Sequence, residues 1–85
     1  MNDETFVQYA VEKMKVNASA ANDYTKRGNL YQAGMKSGAV LAFISALNQL
    51  GYCADCECDT SSIGTVTFKS IVVNGTQVFN SMRKI

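Results

Sequence analysis

Hydrophobic positions along the 85-residue chain change their spacing near its middle. As far as about Leu50 they recur at the three- and four-residue steps of a helix, and from Cys53 onward they alternate or run together as strand residues do. Asp3 can cap a first helix with Glu4 in its opening turn, and Val7, Val11, Met14, Ala18 and Ala21 then share one face, with Phe6 and Ala10 beside them. Lys26 and Arg27 stand where the negative end of the helix dipole favours cations, and Gly28 can take the left-handed cap conformation. The spacing therefore predicts a helix over about residues 3–27. Residues 17–22, rich in Ala, Ser and Asn, form helix less readily, which predicts fraying or a bend there.

Asn29 can cap a second helix directly, so the two helices should form an antiparallel hairpin across a very short turn. This helix, about residues 30–50, carries Gly34, Gly38, Ala42 and Ser45 as a ladder of small residues on one side and Val40, Phe43, Ile44, Leu47 and Leu50 on the other. A glycine inside a helix costs roughly 1 kcal/mol against alanine, so the ladder predicts a face for close packing, against the first helix or against a second copy. On that reading Gly38→Leu disrupts the fold or the oligomer. Between Gly38 and Leu47 the helix is apolar nearly all round, as helices buried on more than one face are.

Gly51 closes the helix, and strands are predicted over about residues 53–60, 65–73 and 76–80. In the first, Ala54, Cys56 and Cys58 fall on an inner face and Asp55, Glu57 and Asp59 on an outer one. Ser61, Ser62 and Gly64 make a loop, Thr65 to Val73 is rich in β-branched residues, and Asn74-Gly75 is a favoured pair for a two-residue hairpin turn. The basic end, residues 82–85, is short enough to fray. The expected architecture is a single α+β domain over residues 1–85, an antiparallel helical hairpin followed by a small three-stranded antiparallel β-meander.

A chain of 85 residues buries only about 60 to 65% of its unfolded surface, so self-association is an easy route to further stability. With 47% hydrophobic and 18% charged residues it belongs with folded rather than disordered chains. Its acidic, polar start does not read as a secretory signal and no run approaches a membrane span, which predicts a soluble cytoplasmic protein with no membrane partner. The net charge of +1 hides a basic stretch from Lys13 to Lys36 (Lys13, Lys15, Lys26, Arg27 and Lys36 against Asp23) and an acidic first strand, an asymmetry suited to an anionic ligand or a head-to-tail contact between copies.

Candidate chemistry is sparse. The absence of histidine removes the commonest general base and the commonest zinc ligand, and no catalytic, dinucleotide, nucleic-acid or cofactor motif is present. Cys53, Cys56 and Cys58 could supply three thiolates to zinc or an iron–sulfur cluster, or serve in redox chemistry. However, no second pair of ligands exists and Cys53 would point away from the other two along a strand, so they read first as reduced thiols on the inner face. Tyr24, Lys26, Arg27 and Tyr31 gather cations and phenols at the helix junction, a set that suits a phosphate or a nucleotide, with Phe79 or Tyr52 of a neighbouring copy closing the pocket. The expectation is a small non-enzymatic binding protein without a cofactor. It would be a homo-oligomer that acts by occupying a partner protein's surface or by sequestering a small anionic, nucleotide-like ligand. In size and style this is like an accessory or inhibitor protein of a phage or mobile element. The alternative is a metal-binding or thiol-redox protein built on the three cysteines.

Overall fold

The helical spacing of the first half yields α1 (Asp3–Lys26) and α2 (Leu30–Gln49), and the second half yields β1 (Ala54–Thr60), β2 (Val66–Val73) and β3 (Thr76–Asn80). The computed structural model describes residues 3–60 and 66–81. The loop at Ser61, Ser62 and Gly64, the strand start at Thr65 and the basic end at 82–85 lie outside the described residues. The fold is α+β, an antiparallel helical hairpin followed by an antiparallel meander of order β1-β2-β3, as the hydrophobic pattern predicts. It measures 38 × 26 × 18 Å: the long axis is the length of α1 and the short axis is one layer of helix on one of sheet.

Both helices stop in the same way. Past α1, Asn29 N–H donates to the Tyr24 carbonyl (2.9 Å) and Gly28 N–H to that of Thr25 (3.1 Å); past α2, Tyr52 N–H donates to Leu47 and Gly51 N–H to Asn48, each at 3.1 Å. This paired arrangement needs a left-handed residue after the last turn, and Gly28 and Gly51 supply it with φ of 77° and 95°. Asn29 then caps α2, its side chain accepting from Gln32 N–H at 3.3 Å. At the tip of the meander Asn74 and Gly75 both have positive φ, which gives the two-residue turn between Val73 and Thr76.

The core lies between α1 and the sheet. Ala10, Met14, Ala18 and Ala21 of α1, Val40 and Leu47 of α2, and Phe68 and Ile71 of β2 are fully buried, with Ala54 and Val73 almost so. Phe68 and Ile71 are three residues apart, a spacing that a regular strand would send to opposite faces. The register absorbs the difference: Glu57 pairs with Ser70 and Cys58 with Phe68, so Lys69 is an extra residue that turns Phe68 inward.

Two asparagines fix the sheet to the helices. The β2–β3 register ends at Ser70 and Asn80, so β3 does not reach Phe68. Asn22 of α1 takes the place of the missing strand: its Nδ2 donates to the Phe68 carbonyl (3.0 Å) and its Oδ1 accepts from Phe68 N–H (2.8 Å). Asn48 at the end of α2 repeats the pattern on Ala54, with both bonds at 2.9 Å. α1 accordingly runs as continuous helix through residues 17–22, which corrects the expected fraying there; the helix cost of Asn22 is offset by two buried hydrogen bonds.

Candidate functional site

α1 is amphipathic in the ordinary sense. Its solvent side presents Glu12, Lys15, Ser19 and Asp23, with the Lys15 and Glu12 charges 3.9 Å apart. α2 is different: Lys36 is the single charged residue among its 20, and it is half-buried. At 3.6 residues per turn Lys36 lies about 160° around the helix from Gly38. The flank centred on Gly38 therefore carries no charge.

Ala33, Ser37, Val40 and Leu47 are buried, with Ile44 half-buried between them. This is the side α2 turns toward α1 and the sheet. On the opposite side Tyr31 is 76% exposed, Met35 55% and Leu41 47%, and around them Gly34, Gly38, Ala42 and Ser45 are also exposed. A Cβ added at Gly34 or Gly38 would meet no atom within 4 Å. Within the chain, then, α1 takes the bulky side of α2 and the ladder of small residues is open. Among the described residues a side chain at Gly38 starts into open space, so Gly38→Leu bears on assembly rather than on the packing of the fold.

The residues singled out at the helix junction are spread apart. Tyr24 is half-buried on α1, Arg27 is bound to Asp23 across one turn at 3.1 Å, and Tyr31 belongs to the exposed flank of α2. Lys26 lines an open depression of about 310 Å3 with Ser19, Asn22, Asp23, Phe79, Asn80 and Ser81. Phe79 thus meets Lys26's depression from its own chain rather than from a neighbour, and the Asp23 carboxylate there opposes an anion.

The cysteine strand is only partly inside. Ala54 is buried and Cys56 half-buried, but the strand is exposed from Glu57 to its end, which corrects the expectation of an inner-face Cys58. Cys53 and Cys58 are exposed free thiols. The Cys56 thiol is pushed up to about 11, first by burial, then by Cys58 beside it and by the Asp55 carboxylate. A thiol so placed keeps its proton at neutral pH and is a poor nucleophile. Among the described residues no group of three His, Cys, Asp or Glu side chains converges as a metal site, and no helix is long and apolar enough to cross a membrane.

Comparison with known protein families, with curated proteins and with solved structures gives no match. The functional reading therefore rests on the residues themselves. Met35 and Leu41 lie outside the ladder of small residues, yet both are exposed on the same flank. The signal was present: Tyr31, Gly34, Gly38, Leu41 and Ser45 follow one another at steps of three and four, the repeat of a helix seam.

Proposed function

We propose that this chain is a non-enzymatic binding protein that works by docking the outer flank of α2 onto another macromolecular surface. One observation carries the reading: a surface helix turns Tyr31, Met35 and Leu41 to solvent around two open glycines, without a charged side chain among them. Helices apolar on every side are covered in the working state of a protein, and large exposed apolar patches mark contact sites. Sequestration of a small anion has weaker support, since the junction cations do not converge and one is already paired with Asp23. Thiol or metal chemistry is disfavoured by the protonated Cys56 and by its acidic neighbours Asp55 and Glu57.

The reading is tested by placing a photoreactive side chain at Ala42, on the flank, or at Glu12, on the charged side of α1, in the protein expressed in its own cells. A covalent adduct of one defined mass from position 42 but not from position 12, identified by mass spectrometry, is expected. No adduct at position 42, or equal adducts at both, overturns it.

A further inference from the structure

Resting on that reading, we propose that the occupant of the α2 flank is a second copy of this chain, docked antiparallel about a two-fold axis that passes beside Gly38. The order of residues along the flank is what selects this occupant. Gly38 sits midway between Tyr31 and Ser45, and the positions on either side mirror one another: Gly34 and Ala42 are each four residues away, Met35 and Leu41 each three. A two-fold axis at Gly38 lays Tyr31 over the partner's Ser45, Gly34 beside the partner's Ala42, and Met35 against the partner's Leu41. Each large side chain meets a small or apolar one, and the glycines at the crossing let the two backbones approach.

Charge agrees with the antiparallel sense. The flank itself has no charge, so it meets its own copy without like-charge repulsion. At one end of α2 stand Lys26 and Arg27; at the other are its carbonyl end, closed by Gly51 and Tyr52, and the start of the strand bearing Asp55 and Glu57. Antiparallel docking brings the basic end of each copy to the negative end of its partner's helix, whereas a parallel pair would set like ends of the two helices together.

Size sets the strength. From Tyr31 to Ser45 the helix runs about 22 Å, and half the girth of a helix about 11 Å across gives on the order of 400 Å2 a copy, about 800 Å2 for both. That is below the roughly 1,200–2,000 Å2 of stable complexes and belongs with weak, transient contacts, so the dimer should exchange with its monomer and form only as concentration rises.

Sedimentation equilibrium of the reduced 85-residue chain from about 1 μM to about 1 mM covers the concentrations at which such a weak dimer forms. The apparent mass should climb from 9.2 kDa toward twice that value, and Gly38→Glu should stay monomeric at every concentration with unchanged helical circular dichroism. In a background with Cys53, Cys56 and Cys58 replaced by serine, Gly38→Cys should crosslink to itself. Gly34→Cys and Ala42→Cys should crosslink to each other on mixing but not alone. A mass fixed at 9.2 kDa, a dimer indifferent to Gly38→Glu, or self-crosslinking of both flanking cysteines overturns the proposal. A lasting monomer whose position 42 still forms its photoadduct with a different macromolecule overturns the second copy and leaves the docking flank standing. A monomer with no adduct removes both.

Discussion

Gly38→Ala should stabilise the isolated chain while weakening whatever contact the flank makes. Glycine in a helix interior is about 0.8–1.0 kcal/mol less favourable than alanine, because the unfolded backbone has more freedom to lose. That gain is realised only where the new methyl has room, and at Gly38 it meets no atom within 4 Å. For 85 residues the entropy of unfolding near the midpoint is about 0.18 kcal/mol/K, so 0.9 kcal/mol corresponds to a rise of about 5 °C in Tm. Gly34→Ala is open in the same way, and the pair should approach about 10 °C.

The assay is thermal unfolding by circular dichroism at low micromolar concentration, where the monomer dominates, repeated at high concentration, where association adds to Tm by mass action. At low concentration the variant should melt higher than the wild type. At high concentration the margin should shrink, because a methyl at the crossing holds the partner's backbone away. An unchanged or lower Tm in the dilute variant would mean that the flank is already covered within the chain, and the argument for an open face would fail. The same result bears on purpose: two glycines here forgo roughly 2 kcal/mol of helix stability, a sacrifice that an idle solvent face has no reason to make.

Asn22→Ala should cost about 2–4 kcal/mol, read from urea unfolding, since it strips the buried Phe68 N–H and carbonyl of their partners; against a total of roughly 4–13 kcal/mol for a chain this size, that nears loss of the fold. Thr25→Val should raise stability by about 1 kcal/mol, because the Thr25 hydroxyl is buried without a hydrogen-bond partner; a loss would show that it has one. Cys56 in the folded chain should alkylate more slowly at neutral pH than in the unfolded chain, by mass spectrometry of the labelled peptides. Its thiol holds the proton to about 11 when folded and to about 9.0 ordinarily. Between those values the unfolded state binds fewer protons, so this contribution is intact below pH 9.0, falls as pH rises and is lost through about 11. Protein purified without chelator should carry no stoichiometric zinc or iron by elemental analysis, and a bound equivalent would revive the thiolate cluster.

Much of the fold was legible because it follows from local chemistry. The helix stops at Gly28 and Gly51, the Asn29 cap and the Asn74-Gly75 turn each need only a few neighbouring residues, and each forms as read. What the pattern of α2 could not reveal is which flank the chain covers for itself, since that is decided by contacts distant in sequence. Asn22 looked like a weak point in α1, yet the residue that weakens the helix locally is the one that clamps β2 to it from 46 positions away. Phe68 and Ile71, at a spacing of three, carried the sign of the bulge that turns Phe68 inward, but an isolated strand gives no reason to insert one. These two devices commit the sheet to α1, and Asn48 ties the start of β1 to the last turn of α2. With the sheet held there, α1 fills the remaining side of Val40 and Leu47, and among the described residues no element lies over Gly38. The uncovered flank is thus a consequence of how the core closes, and its lack of charge is the feature that the core does not explain.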